Sequence, residues 1–385
     1  MTLLTSNTLI PNRVVVAMSG GVDSSVAAAL LVEQGYEVVG MMMRLWSEPG
    51  RGGGPLVNRC CTPDQMADAR RVADQLGIPF YVLDVKDQFR QTIVQYFIEQ
   101  HELGRTPNPC IECNRQIRFT YLLNQALALD ANYLATGHYA QVEQTAGSYR
   151  LRQGVDAHKD QSYVLHVLRQ EHLAHVLFPV GAYTKSEVRD LARKFGLPVA
   201  SKHDSQDLCF LGDGDYRRFL REYSEKAAQP GPILNLRGDV LGQHEGLAFY
   251  TIGQRKGLGI ATPEPVYVVR KDVTRNALVV GSRAELGQTT LFVRDVNWIA
   301  GAPPQEAISA QVKIRYKAVA LAALVKVVEN GRIQVQFNEP VFGITPGQGA
   351  VVYDGDICLG GGIIADVTEQ PSAELLTGAE SLIED

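Results

Sequence analysis

The sequence predicts an α/β protein: a doubly wound parallel sheet over roughly residues 12–212, then a small central domain and a C-terminal β-barrel. Three observations carry that expectation. Continuous apolar runs alternate with helical patterns through the first half, as in a sheet covered on both faces. After Val266 the pattern changes to short period-two segments joined by hairpin-type turns. The length, 385 residues, also exceeds one domain at roughly 150 residues each. The domain limits read from the chain are 1–214, 215–288 and 289–385.

Val14-Val15-Val16-Ala17-Met18 has the continuous apolar character of a buried parallel strand. A glycine-rich turn follows, then a helix from Ser24 to Glu33 with Val26, Ala27, Leu30 and Leu31 on one face and Gly35 as its stop. Val38–Met43 reads as the second strand, residues 63–76 as an amphipathic helix opened by Pro63, Phe80–Leu83 as the third strand and Asn132–Thr136 as the fourth. Thr184 with Glu187 forms a capping box for a helix that stops at Gly196. Residues 215–226 make one basic helix. Strands follow at Val266–Arg270, Ala277–Val280, Gln311–Lys317, Ala322–Val328, Ile333–Phe337 and Ala350–Tyr353, with turns at Thr274-Arg275-Asn276, Asn330-Gly331 and Asp354-Gly355. Arg51-Gly52-Gly53-Gly54-Pro55 reads as a flexible loop.

Apolar residues make up 45% and charged ones 21%, which excludes wholesale disorder. With 37 basic and 42 acidic side chains the net charge is −5, so nucleic-acid binding would depend on a local basic face. No apolar run reaches about 18 residues, so no bilayer-spanning helix is expected. Met1 to Asn12 lacks the charged start, apolar core and cleavage site of a signal peptide. These features predict a soluble cytoplasmic protein whose six cysteines are reduced, catalytic or metal-bound.

Ser19-Gly20-Gly21-Val22-Asp23-Ser24-Ser25 joins the first strand to the first helix. Backbone N–H groups and the helix dipole favour an anion there, two glycines allow close approach, and three hydroxyls offer donors. The loop lacks the Gly-Lys-Ser/Thr ending of a Walker loop and the G-x-G-x-x-G of a dinucleotide site. The bland alternative is a tight turn with Asp23 as helix cap. The loop resembles that of the PP-loop ATP pyrophosphatases, which cleave ATP between the α- and β-phosphates and leave an adenylated substrate. The resemblance implies an adenine nucleotide α-hydrolase-like fold. It also implies that Ala17, Met18, Ser19, Gly20, Gly21, Val22, Asp23 and Ser24 hold ATP, with Asp23 near the Mg2+ that bridges the phosphates.

Cysteine placement points to sulfur chemistry. In Thr106-Pro107-Asn108-Pro109-Cys110-Ile111-Glu112-Cys113-Asn114, Cys113 precedes what reads as a helix start with Arg115 and Arg118 nearby, a setting that lowers a thiol pKa. Cys209 sits in the loop His203-Asp204-Ser205-Gln206-Asp207-Leu208-Cys209, and Cys358 reads as a buried structural residue.

With these segments the chain resembles the bacterial tRNA-specific 2-thiouridylases. The likeness continues through Ala135–Tyr139, Lys159–Tyr163, Asp204–Phe210, Thr251–Gly259, Lys313–Tyr316, Thr345–Gln348 and Cys358–Ile363, nearly the whole length. It implies that Cys113 is the nucleophile and Cys209 the persulfide carrier, the two forming a disulfide as sulfur reaches C2 of an adenylated wobble uridine. It also implies nucleotide contacts from Met43 and Gly137, tRNA contacts from His138, Lys159, Asp160, Gln161, Arg315, Tyr316 and Gln348, and a target-base border at Asn108, Pro109 and Cys110. A persulfide-donating protein is an implied partner. His138 alternatively reads as a satisfied core histidine.

Many relatives of this kind carry Asp where this chain has Cys110, which makes Cys110 and Cys113 a C-x-x-C. Cys110 is then a spectator at the base pocket, a competing resolving thiol, or a ligand with Cys113 and Cys209 of an iron–sulfur cluster with one open iron. A structural zinc that includes Cys60 and Cys61 is disfavoured, because adjacent cysteines serve one tetrahedral ion poorly. Basic residues cluster at Arg115 and Arg118; Arg217, Arg218 and Arg221; Arg255 and Lys256; and Lys313, Arg315 and Lys317. The last three are expected on one strand face, tracking RNA phosphates. The rival readings are another adenylating PP-loop synthetase with a small-molecule substrate, and a non-enzymatic RNA-binding protein.

Overall fold

The computed structural model describes residues 12–48, 62–202 and 208–366. Its first sheet is built from β1 (Arg13–Ala17), β2 (Glu37–Arg44), β3 (Phe80–Asp84), β4 (Tyr133–Ala135) and β7 (Val176–Leu177). The order is β3-β2-β1-β4-β7 and every pairing is parallel. Val14, Val15 and Val16 are wholly buried because both faces are covered. On one face lie α1 (Val22–Glu33), α2 (Pro63–Leu76) and α5 (Lys185–Lys194), packed through Val26, Leu30, Val72 and Val188. On the other lies α4, a continuous helix over 109–128, packed through Ile111, Phe119, Leu122 and Leu123. A further helix, α3, spans 86–102.

Local chemistry sets the helix ends as expected. Thr184 caps α5 with its Oγ1, and the Glu187 side chain reaches back to the cap. Thr62 and Gln65 make the same box at α2, where Gly77 closes the helix in the left-handed region. At α4 the expectation needs correcting. The helix begins at Pro109, not after Cys113, because Asn108 accepts the Cys110 N–H and proline suits the first helical position. From Cys113 to Leu122 the bonding widens by one residue per turn, with the Leu123 N–H reaching the Arg118 carbonyl.

The hairpin of β5 (Ala140–Thr145) and β6 (Ser148–Gln153), turned at Ala146 and Gly147 with positive φ, was not expected. It leaves the parallel sheet and joins the C-terminal barrel: Arg152 pairs with Ile357 and Leu151 with Cys358. The basic helix is α6 (Tyr216–Tyr223). The central sheet then collects β8 (Gly231–Leu234), β9 (Val240–His244), β10 (Tyr267–Asp272) and β11 (Ala277–Gly281) in the order β10-β11-β8-β9.

The barrel comprises β12 (Gly287–Trp298), β13 (Ile308–Lys313), β14 (Leu321–Val327), β15 (Ile333–Phe342), β16 (Gly349–Asp354) and β17 (Ile357–Ile364). The order is β12-β15-β14-β13-β16-β17, closed by antiparallel pairing of β12 with β17. Val293, Val312, Val325, Val335 and Ile364 fill it. The closing strand carries Gly360-Gly361-Gly362. A Cβ at Gly362 would lie 2.4 Å from the Arg294 carbonyl oxygen, so only glycine lets these strands meet.

A second correction concerns the basic strand. It ends at Lys313. Ile314 is buried and prolongs the period-two pattern, but Arg315, Tyr316 and Lys317 turn away, with the Ala318 N–H bonded to the Arg315 carbonyl. The three cations therefore do not share a strand face. The expected loop at Arg51–Pro55, the pair Cys60 and Cys61, and His203–Asp207 lie outside the described residues.

Candidate active site

The phosphate loop is held in shape from within and from below. Ser24 Oγ accepts the Ser19 N–H at 3.1 Å and Ser25 Oγ donates to the Gly21 carbonyl at 2.8 Å. Ser24 and Ser25 are buried, so of the three hydroxyls Ser19 lies on the exposed rim. Gly20 has φ +70° and sits on α2: a Cβ there would lie 2.2 Å from the Gln65 carbonyl oxygen. Gly21 is the helix cap and supplies no side chain to the first N–H groups of α1. Gly137, at the end of β4, packs on that first turn; a Cβ would be 2.7 Å from the Ser24 nitrogen. The segment from Ala17 and Met18 through Val22 to Ser24 is thus a narrow turn at the start of α1 with Gly137 as one wall, a shape that suits an anion.

Two lysines that sequence spacing did not reveal flank the cradle. Lys185 follows the Thr184 cap, and its Nζ reaches Asp23 Oδ1 at 2.6 Å, where the Tyr139 hydroxyl also donates at 2.7 Å. Lys202 Nζ donates to the Gly20 carbonyl at 2.9 Å and to Asp68 at 2.7 Å. Burial pushes the Asp68 carboxyl up, but hydrogen bonds and charge from Lys202 and Arg71 outweigh it and hold the group below its ordinary value. The capping box at Thr184 was the one available signal for Lys185.

The cysteines fall into distinct settings. Cys113 is buried in the apolar cluster that includes Leu45, Phe97, Ile117 and Phe210, and the half-buried Cys209 packs against the same cluster, as does Met43 from β2. Both segments thus reach one cluster, and both cysteines are free thiols. Phe210 anchors its turn against Phe97, ring centroids 5.3 Å apart. Because α4 starts at Pro109, the thiol at its N-terminus is the exposed Cys110. The arginines beyond Cys113 are engaged, Arg115 with Glu112 at 3.3 Å and Arg118 with Asn114 Oδ1 at 2.8 Å. Cys358 is buried where β17 meets β6, and burial pushes its thiol up.

The barrel comes against the loop before α4. Gln348 donates to the Thr106 carbonyl at 2.7 Å, and the Thr106 N–H donates to Pro346. Tyr316 lies 6.2 Å from the Tyr163 ring, with Lys313 Nζ 5.8 Å from its centroid. Burial raises the Tyr316 phenol, and the charges of Asp160 and Cys110 add to the shift, so Tyr316 and Asp160 share one neighbourhood with Cys110 at the start of α4. Arg315 flanks Gly343. Asp160 is buried and accepts from the Gly154 N–H and from the Ser162 N–H and hydroxyl. Gln161 is bonded to the Tyr139 backbone through its own N–H and its side-chain oxygen. Within Lys159-Asp160-Gln161, then, Asp160 and Gln161 shape the loop, and Lys159 is half-exposed. His138 is half-buried between Phe119 and Phe178, each 5.9 Å away, with Nδ1 at 2.7 Å from Thr136 Oγ1. Burial, aided by Arg118, lowers its pKa to about 3, so the ring is neutral at physiological pH.

A single carboxylate, Asp23, beside a phosphate cradle fits Mg2+, which takes one or two carboxylates together with phosphate oxygens and water. An iron–sulfur cluster does not fit the described residues. No three Cys, His, Asp or Glu side chains gather closely enough to hold a metal, and Cys110 is exposed while Cys113 is buried.

Family models match three consecutive stretches: a tRNA methyl transferase HUP domain over residues 12–213, a tRNA methyl transferase PRC-barrel domain over 217–282 and an aminomethyltransferase β-barrel domain over 288–364. The tRNA-specific 2-thiouridylase MnmA of Symbiobacterium thermophilum is 51% identical over 360 residues, covering 92% of each chain. Those of Moorella thermoacetica and Magnetococcus marinus are each 49% identical, covering 92% of this chain and 99% of their own.

Proposed function

Because the chain belongs to the family of tRNA-specific 2-thiouridylases, we propose that it replaces the C2 oxygen of a tRNA wobble uridine by sulfur, consuming ATP. The observation that supports this reading most is the position of Met43. It lies on the strand beside the phosphate loop and packs on the cluster that holds Cys113 and that Cys209 packs against, which supports a site shared by nucleotide and thiols. The family-model descriptions speak of methyl transfer, whereas relatives that match over almost their full length are thiouridylases.

ATP sits with its phosphates on residues 17–24 and its nucleoside by Met43 and Gly137. Asp23 would hold Mg2+, which would supply neutralising charge to the leaving pyrophosphate. Lys185, bonded to Asp23, and Lys202, bonded to the Gly20 carbonyl, stand where they can turn to the phosphates. The uridine, flipped out of its stack and bordered by Asn108, Pro109 and Cys110, attacks the α-phosphate through its C2 oxygen and pyrophosphate leaves.

The terminal sulfur of a persulfide on Cys209 then attacks C2. The Cys113 thiolate attacks the Cys209 sulfur, the persulfide S–S bond breaks, and its electron pair goes to the transferred sulfur. AMP departs from C2 as the thiocarbonyl forms, and a Cys113–Cys209 disulfide remains for a dithiol to reduce. His138, Lys159, Asp160, Gln161, Arg315, Tyr316 and Gln348 form the tRNA rim, some by contact and some by holding its shape. A persulfide-donating protein loads Cys209. The three units 1–214, 215–288 and 289–385 act together, and the reaction belongs to the cytoplasm. Among the described residues no helix is long and apolar enough to cross a membrane.

The test is formation of AMP and pyrophosphate by purified protein with and without tRNA. Dependence on a tRNA with a wobble uridine supports the reading. Turnover without RNA, driven by a small molecule, would favour an amide-forming synthetase instead.

A further inference from the structure

The segment Thr251-Ile252-Gly253-Gln254-Arg255-Lys256-Gly257-Leu258-Gly259 has no role in the chemistry above, yet the fold invests in its shape. Gly253, Gly257 and Gly259 all have positive φ. The Gly253 N–H bonds to Val268 and the Val268 N–H to Gln254, fastening the loop to β10. The Gln254 side chain closes it from inside, accepting the Thr251 N–H and donating to the Lys256 carbonyl. Leu258 is buried in the cluster that holds Cys113, and Ile252 and Ile260 pack on the same cluster. The outcome is a rigid loop whose apolar side packs on that cluster and whose tip presents Arg255 and Lys256 to solvent.

Charge pairing separates the basic clusters. Arg218 is bound by Glu48, Asp213 and Glu222, each at 2.7 Å, and Arg221 is paired with Glu245, so two of the three arginines of α6 are compensated and only Arg217 forms no ion pair among the described residues. Arg255, Lys256, Lys313, Arg315 and Lys317 form no ion pair among the described residues. The two uncompensated groups are neighbours. A Cβ on Gly253 would lie 3.5 Å from the Gly343 Cα, and a Cβ on Gly343 would lie 3.5 Å from an Arg315 guanidinium nitrogen. Beside the loop tip is a cavity of about 190 Å³ lined by Arg255, Gly257, Leu258, Gly259 and Thr262, among others.

We infer that the loop 251–259 is a contact for the tRNA sugar–phosphate backbone, extending the rim at Arg315 and Tyr316 onto the central domain. The inference rests on the reading of the chain as a tRNA-modifying enzyme. Two unpaired cations on a stiff loop lose little entropy on binding and release counterions from a polyanion, whereas an acidic small ligand would not need a second basic patch across a domain junction. The loop thereby couples backbone docking to the cluster on which Cys113 and Cys209 sit.

The experiment is the affinity of full-length protein for a tRNA with a wobble uridine, measured by fluorescence anisotropy from low to high salt. The variants are Arg255→Gln/Lys256→Gln and, as a neutralised control, Arg221→Gln. The double variant is expected to bind roughly ten-fold more weakly and to lower the slope of log K against log salt by about one to two. ATP affinity serves as the check that it is folded. Wild-type affinity and slope in the double variant would overturn the inference while leaving the functional reading intact. So would unchanged tRNA binding with a loss of thiolation confined to assays using a persulfide-donor protein rather than sulfide, which would assign the loop to that protein. Failure of the wild-type protein to bind tRNA would instead overturn the functional reading itself.

Discussion

Gly20→Ala should destabilise the N-terminal unit because two separate costs meet at one atom. The backbone is at φ +70°, where an alanine costs about 1 kcal/mol relative to glycine. Its Cβ would also lie 2.2 Å from the Gln65 carbonyl oxygen and 2.9 Å from the carbonyl carbon. Gln65 has little freedom to retreat, since its N–H and side chain are both bonded to Thr62 in the capping box. Overpacking against fixed backbone adds about 1–3 kcal/mol, giving about 2–4 kcal/mol in all. For a unit of this size that is roughly 4–15 °C in melting temperature.

Gly21→Ala is the internal comparison. Gly21 is extended, and a Cβ would meet only the Ser19 Oγ, at 3.3 Å, which can rotate aside. The cost there is the weaker helix cap, about 1 kcal/mol or less. Thermal unfolding of the two variants without nucleotide separates the cases. Equal melting temperatures would refute the claim that the cradle rests on α2 through Gly20.

Three further outcomes follow from the same geometry. Lys185→Met should weaken ATP about 10- to 100-fold by isothermal calorimetry, the worth of one charged hydrogen bond to phosphate, and an unchanged Kd would remove Lys185 from the site. Cys110→Asp should retain thiolation, because the position is exposed at a helix N-terminus where a carboxylate is favoured; loss of product would show that this thiol is needed. Lys271 has a buried Nζ with no hydrogen-bond partner among the described residues, and burial lowers its pKa to about 7 against the pull of Asp366. Between about pH 7 and 10.5 the unfolded chain binds this proton and the native chain does not, so the group's contribution to stability rises with pH. Lys271→Met should therefore melt above wild type at pH 6, and the gap should narrow towards pH 10; a gap independent of pH would contradict the burial argument.

The parts legible in the sequence are those where local chemistry and tertiary structure agree. Val14–Val16 read as a doubly covered strand and are one, and Thr184 with Glu187 read as a cap and form one. Asn330-Gly331 also turns where expected, with both residues at positive φ. The hairpin 140–153 was missed because its outward positions are Gln, Glu and Arg and its strength comes from pairing with a distant strand. The β17 strand was not read from the sequence, because its glycines serve close approach, which becomes visible only with Arg294 and Ala350 beside them. In the site, Ser19–Ser24 announced themselves by position between strand and helix. Lys185 and Lys202 did not, since they reach the cradle from more than 150 residues away in the chain. Buried Ile314 carried the alternation past the end of its strand and made Arg315 look like a strand residue.

The claim on which the account turns is that Cys113 and Cys209 act as a pair on an adenylated uridine. Mass spectrometry of tRNA nucleosides, after incubation with ATP, a persulfide donor and either Cys113→Ser or Cys209→Ser protein, measures it directly. The account predicts no 2-thiouridine from either variant, with ATP affinity preserved in both. Thiolation at the wild-type level by either one would contradict it.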